Sequence, residues 1–130
     1  MNLDLITTNV YSKHLSNRLL ICGTCLVSEW PEHVETLNDG RTLLTVCLES
    51  VHFNTAFGKI VSILAKGAIE EIVVLTKDGS PHCRQLPDVV DWALKVTKSE
   101  SVVDKYFVIE HGTLLEIPKE RIKEKRHLSK

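Results

Sequence analysis

The sequence predicts a single α/β domain, or α+β if the strands and helices segregate, with a mixed, partly parallel sheet in two or three layers. Three observations carry that reading. Thr42-Leu43-Leu44-Thr45-Val46-Cys47-Leu48 is a β-rich run, and after it Phe57, Ile60, Val61 and Leu64 recur at helical spacing. Ile72-Val73-Val74-Leu75 is then a continuous apolar run, as expected of a parallel strand covered on both faces. Strand, helix and strand in that order form a βαβ unit over about residues 42–76.

At 130 residues the chain matches the size of one domain, and a composition of 43% hydrophobic and 25% charged residues is that of a globular protein. One core suffices for that length. Residues 1–118 are expected to form the domain and residues 119–130 a basic tail.

Along the chain, Arg18 to Cys22 reads as a strand, whereas Asn9 to Ser16 has no decisive period. Leu26 to Pro31 does not read as an amphipathic helix. Asn38-Asp39-Gly40 is a hairpin-turn signal, so Val34 to Leu37 is expected to pair with the strand that starts at Thr42, in preference to a short helix beginning at Pro31 and Glu32. In the helix that follows, Asn54 suits the start and Gly67 the end. A second helix is predicted from Leu86 to Thr97, with Pro87 in its first turn and Val89, Trp92, Ala93 and Val96 on its core face. Tyr106–Ile109 and Thr113–Ile117 flank Glu110-His111-Gly112 and read as a terminal hairpin. The tail has six Lys or Arg against Glu120 and Glu124, with only Ile122 and Leu128 as large apolar residues, which predicts a frayed helix or a solvated segment.

Sixteen Lys and Arg against seventeen Asp and Glu leave a net charge of -1, which gives no global attraction to nucleic acid or to an anionic membrane. Every apolar run is far shorter than the ~20 residues of a membrane span. Met1-Asn2-Leu3-Asp4 carries an acid where a signal peptide is basic, so the chain reads as cytoplasmic. One Met, one Gln and many Ile, Val, Lys and Glu residues lean toward a thermophilic source, where an intracellular disulfide is an option.

In a reducing compartment, cysteines point to metal binding or redox chemistry. Cys47 lies near the carboxyl end of one predicted parallel strand, and Cys83 lies in the loop that leaves the next. Right-handed crossovers put both on one sheet edge. Cys22 and Cys25 join them there on two conditions: a turn at Gly23, and a first strand parallel to the others. Four convergent thiolates would hold a [4Fe-4S] cluster or a tetrahedral zinc, with His82 and His52 as substitutes or second donors. Equally, Cys47 and Cys22 are of the residue type most often simply buried. The CxxC pair Cys22/Cys25 alternatively suits thiol–disulfide exchange. A third reading is a non-catalytic interaction or ligand-binding module with structural cysteines. A Cys83–His52 nucleophile pair is a further arrangement across the edge. His14, His33, His111 and His127 read as solvated, Trp92 as core, and Trp30-Pro31 as a cover for the cysteine edge.

The segment Ile72-Val73-Val74-Leu75-Thr76-Lys77-Asp78-Gly79-Ser80-Pro81-His82-Cys83 resembles one found in small ferredoxin-like iron–sulfur proteins of archaea and anaerobic bacteria. The order CxxC, lone Cys, then Cys beside Pro is also similar to the flavodoxin-like cluster domain of hydrogenase small subunits, although here the Pro precedes the last Cys. Both likenesses imply an iron–sulfur centre rather than zinc, an electron-transfer role and a redox partner protein. The sequence is also compatible with a homo-oligomer.

Overall fold

The computed structural model describes residues 2–78 and 85–118. Its strands are β1 (Asn2–Asp4), β2 (Arg18–Gly23), β3 (Thr42–Val46), β4 (Glu71–Lys77), β5 (Val103–Glu110) and β6 (Thr113–Ile117). The helices are α1 (Thr24–Glu29), α2 (Pro31–Leu37), α3 (Phe53–Ala65) and α4 (Leu86–Val96). The described strands make one sheet in the order β1-β3-β2-β4-β5-β6, parallel except for the β5–β6 hairpin.

Alternation along each strand divides the core in two. Leu19 and Ile21 of β2, Leu44 and Val46 of β3, and Ile72 and Val74 of β4 meet α3 and α4 on one face. Leu20 and Cys22, Leu43, and Val73 and Leu75 meet α1 and α2 on the other. The domain therefore has three layers, and β4 is apolar from Ile72 to Leu75 because neither of its faces reaches water there. Ala56, Ile60, Ile63 and Leu64 are the buried side of α3. Each large aliphatic side chain among them contributes about 1.5–3 kcal/mol.

The βαβ unit, the helix at α4 and the terminal hairpin stand where the residue pattern placed them. Three local expectations need correction. Val34 to Leu37 is helical rather than a strand: Pro31 starts α2, Val34 and Leu37 bury one turn apart, and the Asn38 N–H closes the end on the Glu35 and Val34 carbonyls. Asn38-Asp39-Gly40 thus terminates a helix, with Gly40 at φ +71. Thr24 to Glu29 is also helical, with Leu26 as its buried residue; a helix this short shows no periodicity. Trp92 and Val96, expected on the core face, are 47% and 63% exposed, because Leu86, Val89, Val90, Ala93 and Leu94 already fill the inner side of α4.

The segment between β1 and β2 wraps the β3 side of the molecule. Leu5 is fully buried, and Lys59 and Lys66 of α3 donate to the Ile6 and Val10 carbonyls at 2.9 and 2.6 Å.

Candidate functional site

The two edges of the sheet differ in chemistry. At the amino edge Glu71, nearly buried, accepts from Arg41 Nε at 2.7 Å and Arg18 Nε at 3.1 Å, with Lys105 Nζ at 4.0 Å. Hydrogen bonding from Arg41 holds the Glu71 carboxyl below its ordinary range, against the opposing effect of burial. Sequence reading passed over this cluster, although its signal is visible: a charged residue immediately precedes or opens the apolar run of β2, β3 and β4.

At the carboxyl edge the chain reverses its direction of winding. From β2 it moves through α1 and α2 on one face to β3, and from β4 it moves toward α4 on the opposite face and then to β5. The neighbours β2 and β4 therefore send their connections apart, the arrangement at which open α/β sheets have a crevice at the carboxyl ends of their strands. Both conditions set for the cysteine argument hold here: β2 is parallel to β3 and β4, and the strand ends at Gly23, where α1 begins.

The crevice is bordered by Gly23, Thr24 and Cys25 on one side and by Lys77 and Asp78 on the other. Thr24 and Cys25 are exposed. Lys77 Nζ binds Glu29 Oε1 at 2.9 Å and ties the end of β4 to the end of α1. One strand away Cys47 follows β3, since its predecessor Val46 is level with Gly23. Its thiol is half-buried in the turn before α3, and the Ser50 and Val51 amides close that turn on the Cys47 carbonyl. The Ser50 hydroxyl donates to the sulfur and lowers its pKa, helped by the Glu49 and Ser50 amides and opposed by desolvation and the Glu49 charge. His52 is exposed and caps α3.

Cys22, Cys25 and Cys47 are thus brought to one edge but not to one centre. Cys22 is fully buried among Leu20, Leu26, Val34 and Leu37, whereas Cys25 faces solvent. Thiol exchange by this pair needs an accessible thiol and its resolving partner together, and burial removes Cys22 from solvent. Among the described residues no group of three or more His, Cys, Asp or Glu side chains is placed to hold a metal ion. Cys22, Cys25 and Cys47 therefore do not assemble as three ligands of a [4Fe-4S] cluster or zinc, and His52 does not complete a set with them. Cys83 and His82 lie outside the described residues.

Trp30 does not cover Cys25 or Cys47. Its ring rests near Gly112 in the β5–β6 turn and beside His33, at 5.9 Å between ring centroids. His33, expected to be solvated, is half-buried, with Nε2 2.9 Å from the Gly112 carbonyl. No described helix is long and apolar enough to cross a membrane.

A family model described as a Rossmann-like domain matches residues 14–130. No curated protein and no solved structure matches the chain. The family match overturns the ferredoxin-like resemblance of the Ile72–Cys83 segment. The described part of that segment, Ile72 to Asp78, is a parallel strand and the turn at its end, and an apolar strand followed by Asp-Gly is shared by many unrelated α/β proteins.

Proposed function

From the premise that the chain belongs to the Rossmann-like domain family, we propose that it is a small-ligand-binding module whose site is the crevice between β2 and β4. The observation that carries the reading is the winding reversal at those two strands, which are neighbours yet lead to helices on opposite faces of the sheet. Ligands of open α/β sheets gather at such a point.

The first βα turn narrows the ligand class. A dinucleotide fingerprint needs G-x-G-x-x-G, in which the second glycine lets the pyrophosphate approach the backbone. Here Gly23 is followed by Cys25 and Ser28 at the other two glycine positions. The turn favours a compact polar ligand of mononucleotide size over an extended dinucleotide. Thr24 supplies a hydroxyl, Cys25 a thiol, and the Lys77–Glu29 pair a donor and an acceptor.

The test is a titration of the 15N-labelled full chain with AMP, ATP, FMN and NAD, read from amide shifts. The expected result is movement at Gly23–Cys25, Lys77 and Asp78, larger for the mononucleotides than for NAD, with Arg18, Arg41 and Glu71 silent. Shifts confined to the amino edge, or none with any of the four compounds, would overturn it.

A further inference from the structure

We propose that the chain forms a symmetric dimer in which β6 pairs antiparallel with β6 of a second copy, joining two six-stranded sheets into one. The two ends of the sheet are unequal. At one end β1 has three residues, and the Asp4 carboxylate turns the chain away at once by accepting from the Ile6 and Thr7 amides at 2.8 and 3.1 Å. At the other, β6 has five residues with no proline, lysine or bulge, and among the described residues no strand pairs with its outer side. Folded proteins blunt such an edge or use it, because its row of unpaired amides and carbonyls is a template for another strand.

The hairpin register identifies those groups. In a hairpin closed by two residues, here His111 and Gly112, the flanking pair Glu110 and Thr113 exchanges both backbone hydrogen bonds, and every second pair repeats this. Thr113, Leu115 and Ile117 therefore direct their backbone groups to β5, and Leu114 and Glu116 turn theirs outward. The partner strand agrees: the Ile109 carbonyl, level with Leu114, accepts from the Asp78 amide at 3.0 Å, on the side away from β6.

Three twofold axes are available to a strand whose outward residues are Leu114 and Glu116. An axis at Glu116 sets that carboxylate against its own copy and calls on Pro118, which has no N–H. An axis at Leu114 pairs Glu116 with Gly112, which lies in the turn at φ +80. The axis at Leu115 pairs Leu114 with Glu116 of the second copy and Glu116 with Leu114. All the outward groups of β6 are then satisfied, and like charges do not meet. Leu115 faces Leu115 of the second copy as a non-hydrogen-bonded pair, with Cα atoms about 4.5 Å apart. Leu115 and Leu114 are half-buried at the margins of the two core clusters, on opposite faces of the sheet, so this pairing covers the open margin of both apolar layers.

The experiment uses the full chain as parent, Glu116→Pro, Leu115→Cys and Leu114→Cys. Proline at 116 removes an outward amide that takes no part in the β5 ladder, a substitution that an edge strand accepts, and equal thermal melts verify it. Sedimentation is expected to give a dimer for the parent at about 0.1 mM and a dissociation constant at least about tenfold weaker for Glu116→Pro. In the parent, hydrogen exchange at the Leu114 and Glu116 amides should slow as protein concentration rises, while the Leu115 amide stays protected at every concentration. That measurement needs no variant. Mild oxidation of Leu115→Cys should join the two substituted positions, mapped by peptide mass spectrometry, because their Cα separation lies within disulfide range. Leu114→Cys, which faces Glu116, should not be joined to its copy. A parent that stays monomeric at about 1 mM, with fast exchange at Leu114 and Glu116, would overturn the proposal and leave the edge to a strand of another protein. Protection of those two amides in a monomer would also overturn it, by giving the edge to the chain's own remaining residues. So would a dimer unaltered by Glu116→Pro, because the contact would then lie elsewhere.

Discussion

At Cys47 and Glu71 the surroundings lower the pKa and favour the charged form, by different means. At Cys47 the hydroxyl of Ser50 and two amides stabilise a thiolate on a half-exposed edge, so the effect belongs to reactivity. Alkylation of Cys47 by iodoacetamide near neutral pH is expected to be faster than for an ordinary thiol of pKa about 8.5. Ser50→Ala should slow it and move the midpoint of the rate–pH curve upward; an unchanged midpoint would show that the hydroxyl does not govern the thiol. At Glu71 the partners are Arg41 and Arg18 in a nearly buried position, so the effect belongs to stability. Its folded pKa lies below the unfolded value of about 4.3, so the stabilisation is complete above that value and is lost as pH falls through the folded pKa. Glu71→Gln is expected to cost about 2 kcal/mol in urea unfolding at pH 7 and to flatten the acid limb of the stability curve. Arg41→Ala should cost more than Arg18→Ala, because the Arg18 side chain is 43% exposed and solvent screens its ion pair. Residue identities were fully legible in the sequence; these charge states were not, since each depends on neighbours 30 to 53 positions away or on the path of a turn.

Among the elements, those with long periodic patterns were the ones the sequence located. β4 and α3 each bury a full row of apolar residues against a layer, and such rows are visible as runs or stripes. Helix α1 has six residues and α2 seven, too few to show a stripe, and Asn-Asp-Gly after α2 is as suitable for ending a helix as for turning a hairpin. β5 begins at Val103, before the predicted Tyr106, because its first residues are largely solvent-facing and are held by pairing with β4 rather than by burial. The β5–β6 turn places His111 at φ +51 and Gly112 at φ +80, the paired left-handed conformation of a tight hairpin. An added Cβ at Gly112 would lie 3.4 Å from the Trp30 ring. Gly112→Ala is therefore expected to lower stability by about 1–2 kcal/mol from backbone conformation, with the Trp30 fluorescence altered in the folded state. A melting temperature equal to that of the parent would exclude this account.

At the scale of the whole molecule, one edge of the sheet serves folding and the proposed ligand site lies at the other. The amino edge ties β2, β4 and β5 through the Glu71 cluster, whereas the carboxyl edge is joined across its crevice by the exposed Lys77–Glu29 pair. Lys77→Ala should change stability by less than about 0.5–1 kcal/mol, as for exposed ion pairs, yet weaken binding of any mononucleotide that shifts Gly23–Cys25. A large loss of stability with unaltered binding would reverse the assignment of the two edges. The sequence by itself determined the α/β class, the parallel βαβ unit and the terminal hairpin, because burial imposes a period that local residues must obey. Only the tertiary structure decided that β2 sits between β3 and β4, that the winding reverses there, and that Cys22 turns into the core while Cys25 turns to solvent. Strand order is chosen by contacts between distant segments, and the side to which a cysteine points is set by which layer covers it. Neither quantity is written in the spacing of residues along the chain.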